Sequence, residues 1–102
     1  MIKAIYQSED KKYTYLNVSG HALSDDYGKD LICASVSSII FGLMNALDNL
    51  NDELVSINQS ENEIEIINDS DNEIINNYIE LVIIQLKTIE VSYGDFIKVE
   101  RK

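Results

Sequence analysis

Between Leu31 and Leu47 the chain carries no charged residue. Apolar side chains at Leu31, Ile32, Val36, Ile39, Ile40, Leu43, Met44 and Leu47 recur with helical spacing and continue to Leu50, so Asp30 to about Leu50 reads as one helix. They fill more than one stripe, so burial against a single surface leaves part of the helix uncovered. The uncharged run falls short of the roughly 20 apolar residues that a membrane crossing takes, and it includes Ser35, Ser37, Ser38 and Asn45. The expectation is a core helix, with a sheet on one side and a second helix or second subunit on the other, and no membrane span. Ala34, Ser38 and Gly42, spaced by four, form a small-residue strip where another backbone could approach closely.

The rest of the chain supplies that cover. Met1 to Gln7 alternates loosely, Ser8 to Lys12 is a polar turn, and Tyr13 to Ser19 is rich in Tyr, Thr and Val, which predicts a hairpin. Strict alternation puts Thr14, Leu16 and Val18 on the core face of the second strand, with Tyr13, Tyr15 and Asn17 on the other. Leu54 to Ile57 and Ile64 to Ile67, joined by a polar loop, predict a second hairpin. Ser70 with Glu73 fits a capping box that starts a helix near Asp71, Gly94 stops it, and Phe96 to Glu100 closes the chain as an edge-like strand. The order β-β-α-β-β-α-β predicts an α+β, two-layer fold, with two helices packed on one face of a mostly antiparallel or mixed sheet.

With 102 residues, 45% hydrophobic and 25% charged, the composition is that of one soluble globular domain spanning residues 1–102. Eighteen acidic against eight basic side chains give a formal charge of −10, which repels a phosphate backbone, disfavours direct nucleic-acid binding and attracts a basic partner. One cysteine cannot make an intrachain disulfide, and Met1 to Asp10 lacks the pattern of a signal peptide, so the expected location is cytoplasmic.

The only histidine, His21, and the only cysteine, Cys33, share the stretch Gly20 to Ser38. With Asp30 as N-cap, Cys33 falls in the first helical turn, where the dipole favours a thiolate while the Asp30 charge opposes it. His21 stands at the end of a strand, and the connection Ala22 to Lys29 is a loop bounded by Gly20 and Gly28, residues that permit hinge dihedrals. An imidazole and a thiolate brought together can attack a carbonyl and protonate the leaving amine. Spacing alone equally allows a turn histidine and a small core cysteine.

Gly20-His21-Ala22, Tyr27-Gly28, Asp30, Cys33-Ala34 and Val36-Ser37 together resemble the signature of the ribosomal-processing cysteine protease family, Prp. The resemblance implies a cytoplasmic, homodimeric endopeptidase of ribosome assembly that removes an N-terminal extension from a basic large-subunit ribosomal protein after aromatic residues. It makes Cys33 the nucleophile and His21 its base, with Asp30 and Ser37 as supporting motif residues. Asp30 would cap the helix or orient the imidazole. Ser35 stands where the family more often has alanine or glycine. Tyr27 is a candidate wall of a hydrophobic substrate pocket, and the loop between Gly20 and Gly28 would order over the substrate.

Two other readings compete. A metal site could draw on His21, Cys33, Asp25, Asp26 and Asp30, but one histidine and one cysteine fall short of a structural zinc set and the aspartates lack calcium-loop spacing, so no metal or other cofactor is expected. A non-enzymatic ribosome-associated binding module would tolerate loss of either Cys33 or His21.

Overall fold

The computed structural model describes residues 1–20, 27–50 and 53–102, with backbone alone over 27–30. In chain order the elements are β1 (Ile2–Glu9), β2 (Lys12–Ser19), α1 (Tyr27–Leu50), β3 (Val55–Gln59), β4 (Glu63–Asn68), α2 (Glu73–Tyr93) and β5 (Ile97–Arg101). The strands form one mixed sheet in the order β3-β4-β2-β1-β5, antiparallel throughout except for the parallel pair β1 and β5. This is the expected α+β arrangement, with β5 at one edge.

Alternation along the strands decides where the helices sit. Ile2, Ala4 and Tyr6 on β1, Leu16 and Val18 on β2, Ile64 and Ile66 on β4, and Ile97 on β5 are buried together with Ile32, Val36, Ile40, Leu43 and Leu47 of α1 and Ile75, Ile79, Val82, Ile83 and Leu86 of α2. Lys3 and Gln7 on the opposite face are exposed. Leu31–Leu50 is long and apolar enough to cross a membrane by length and composition. One stripe of it is nevertheless spent on the core, while Leu31, Phe41 and Leu50 remain outside. At Gly42, in the small-residue strip, nothing among the described residues lies within 4 Å of a Cβ built there. Ser38, Gly42, Tyr78 and Leu81 instead line an open groove of about 370 Å³ between α1 and α2.

The first hairpin closes on a two-residue turn, with Asp10 and Lys11 at φ 49° and 64° between the paired Glu9 and Lys12. Positive φ at both positions is the turn whose twist matches the flanking strands. Further along, Gln7 pairs with Tyr15 while Ser8 pairs with Tyr13, so Thr14 is an extra residue, a bulge. The bulge overturns the alternation expected for β2: Tyr13 faces the helices, packs on the core and donates its hydroxyl to the Glu80 carboxylate of α2 at 2.6 Å. Burial, and after it that hydrogen bond, push the Tyr13 phenol up to about 12.

At the same end of the sheet two buried asparagines join three elements. Asn68, the last residue of β4, donates to the Tyr13 carbonyl (2.9 Å) and to Asn76 Oδ1 (3.2 Å) and accepts from the Ser70 N–H (3.0 Å). Asn76 Oδ1 also accepts from the Tyr13 N–H at 2.7 Å, and Asn76 Nδ2 donates to the carbonyls of Ser70 and Asn72. The capping box expected from Ser70 and Glu73 is replaced by a relay. Ser70 Oγ accepts from the Asn72 N–H, and Asn72 is the N-cap, accepting from the N–H groups of Ile74 and Ile75. Asn72 holds that place because its side chain reaches two free N–H groups of the first turn, which Ser70, two residues earlier, does not.

Candidate active site

Of the site residues read from sequence, Gly20 directly follows β2, and Gly28, Asp30, Cys33 and Ser37 fall in the first half of α1. Helix α1 starts at Tyr27, so Asp30 is its fourth residue and not its N-cap, and Cys33 is in the second turn. Two consequences correct the sequence reading. The free N–H groups of the helix start belong to Tyr27 through Asp30, upstream of Cys33, and the dipole, which acts within the first turn, reaches Cys33 weakly. The connecting segment is also shorter than Ala22 to Lys29, because Tyr27, Gly28 and Lys29 are helical and Gly28 is no loop hinge. Residues of this type continue a helix once the hydrophobic stripe behind them is buried, whatever loop signal a glycine gives.

Along α1, Asp30, Cys33 and Ser37 are separated by three and four residues, which places all three positions on one side of the helix. Cys33 is a free thiol, half-buried and packed against the edge of the core, and Ser37 is half-buried one turn further on. They border the buried stripe of Ile32, Val36 and Ile40. This is a placement a nucleophile can use, because the thiol is held by packing yet open on one side. Ser35 points elsewhere: it is exposed and its hydroxyl donates to the Leu31 carbonyl at 2.9 Å.

His21, the candidate metal residues Asp25 and Asp26, and loop residues 22–26 lie outside the described residues, as do the side chains of Tyr27 and Asp30. Among the described residues no group of three His, Cys, Asp or Glu side chains could hold a metal ion.

Gly20, immediately before His21, is placed by segments that no spacing rule connects to it. Its φ is +83°, and a Cβ built there would run into the Met1 carbonyl oxygen. Its N–H donates to the Asn62 carbonyl in the β3–β4 turn at 3.0 Å, and Ile2 N–H beside it donates to the Phe96 carbonyl at 2.8 Å. Sequence reading singled out Gly20 as a hinge and missed Met1, Asn62 and Phe96, which act through main-chain atoms that any residue type supplies.

Comparison with known proteins places this arrangement. The family model described as cysteine protease Prp matches residues 1–98. The ribosomal processing cysteine protease Prp of Staphylococcus aureus strain Mu50 is 30% identical over 99 residues, covering 93% of this chain and 92% of that protein. Among solved structures, the S. aureus ribosomal processing protease Prp in complex with a substrate peptide superposes with a TM-score of 0.90 at 29% identity, covering all of both chains. The same S. aureus protease with a covalently linked product peptide gives 0.87 at 30% identity, again over both whole chains. With the family matched over residues 1–98 and the fold shared along its length, this chain belongs to the cysteine protease Prp family and is a peptide-bond hydrolase of that class.

Proposed function

We propose that this chain is a cytoplasmic cysteine endopeptidase that trims the N-terminal extension of a basic large-subunit ribosomal protein, with Cys33 as nucleophile and His21 as its base. The observation that carries the reading is compositional and structural together. A cysteine protease needs a thiol, this chain has one cysteine, and that cysteine is half-buried in the second turn of a core helix. The chain also has one histidine, twelve residues (33 − 21) before it. His21 takes the thiol proton, the thiolate attacks the scissile carbonyl carbon, and the imidazolium protonates the departing amine to leave a thioester on Cys33. Water, deprotonated by the imidazole, then attacks the thioester and releases the acid and the thiol. The charge of −10 supports a basic substrate, whose approach it would accelerate.

The test is cleavage of a peptide that carries the extension. Wild type should cut it, and Cys33→Ser and His21→Ala should each lose cleavage while keeping the wild-type circular dichroism spectrum. A folded wild-type protein that leaves the peptide intact, or a Cys33→Ser variant that still cuts, overturns the assignment.

The homodimer is part of the same proposal. Its support is the helical layer, where Leu31, Leu81 and Ile84 are more than half exposed and Phe41 is 40% exposed beside the groove between α1 and α2. Sedimentation at micromolar concentration should give twice the chain mass; a monomer there removes the dimer.

A further inference from the structure

We propose that Gly20 is a positioning residue for the reaction, and that the β3–β4 turn and the start of β1 form the seat that fixes where the chain leaves the sheet toward His21. The inference rests on the reading of His21 as base. Three observations carry it. Gly20 sits at φ +83°, where side-chain-bearing residues are strained. The space a Cβ would need is taken by the Met1 carbonyl oxygen, a backbone atom that cannot swing aside as a side-chain end can. The Gly20 N–H is held by the Asn62 carbonyl, and Met1 is held in turn through Ile2, whose N–H is bonded to the Phe96 carbonyl.

The seat is therefore made of main chain from the sheet's first strand, the β3–β4 turn and the approach to β5, all closing on the last residue before the base. A side chain at position 20 must turn that residue out of the seat, and the imidazole one residue on moves with it. Proton transfer is sensitive to such movement, because a misplacement of about 1 Å costs roughly 100-fold in rate.

The experiment compares Gly20→Ala, His21→Ala and wild type in the full chain, reading kcat, KM and the rate of Cys33 alkylation by iodoacetamide against pH. Gly20→Ala should lower kcat about 100-fold with KM within about twofold of wild type. Its alkylation profile should move toward that of His21→Ala. A glycine that served stability alone would lower the melting temperature and leave kcat and the alkylation profile of the folded protein at wild type, and that result overturns the proposal. A second variant covers the case in which Gly20→Ala does not fold: one glycine inserted after Ser60, in the exposed turn that the Ser60 N–H closes on the Glu63 carbonyl, with folding checked by circular dichroism. It displaces the Asn62 carbonyl and should shift the same profile; an unchanged profile and kcat overturn the proposal. If His21→Ala itself keeps wild-type cleavage, the assignment of the base has failed, an outcome distinct from loss in His21→Ala with full activity in both seat variants.

Discussion

The two ends of β2 are fastened in opposite ways. At Tyr13 the joint with β4 and α2 is made by side chains, with Asn68 and Asn76 filling buried positions and bonding to the main chain of β2 and of the β4–α2 connection. At Gly20, about 23 Å away along the strand, the contacts among the described residues are main chain: the Gly20 N–H donates to the Asn62 carbonyl, the Met1 carbonyl fills the space a Cβ would need, and the Ile2 N–H beside it donates to the Phe96 carbonyl. A side-chain joint can be tuned or destroyed by one substitution, so it carries the specificity of the fold. A main-chain joint is indifferent to the identity of its partners and vulnerable at the one residue that must lack a side chain. The end that leads toward His21, the base in the function proposed above, is built in the second way, so the sequence around Gly20 can drift while its main-chain contacts persist.

That contrast can be broken by experiment. Asn68→Ala should show the largest effect on stability, about 3 kcal/mol, because it leaves the Tyr13 carbonyl and Ser70 N–H without their buried partner. In a chain of this size that is a fall of about 15 °C in melting temperature, with kcat well below the transition unchanged. If Asn68→Ala instead lowered kcat at unchanged stability, the division between the two ends would be wrong. Gly20→Ala is the converse case, its loss falling on kcat by about 100-fold.

The smallest effect belongs to Tyr13. Its folded phenol, pushed up to about 12 from 10.0, holds its proton to higher pH than in the unfolded chain. The stabilisation is fully present below about pH 10 and is lost as pH rises through about 12. Denaturant unfolding across that window should show wild type losing stability relative to Tyr13→Phe, and parallel curves would mean the hydroxyl is not linked to folding.

Much of this could be read from sequence. The element order, the two helices over a mixed sheet and the buried stripe of α1 all follow from periodicity. The start of α1 did not, because Gly28 and Asp30 carry loop and cap signals that lose to the burial of the stripe behind them. The Asn68 and Asn76 joint was hidden because buried asparagines look like surface ones until their partners, up to 63 residues away, are known. The seat of Gly20 was hidden for a different reason: carbonyl oxygens leave no mark in sequence.

The extra residue at Thr14 has a consequence for how β2 tolerates change. Up to Tyr13 the odd-numbered position answers to the helices, and from Leu16 onward the even-numbered ones do. Substitution tolerance along this strand therefore inverts its parity within three residues. A homologue that dropped or gained one residue there would exchange the inner and outer faces of half a strand while leaving its hydrophobic content the same.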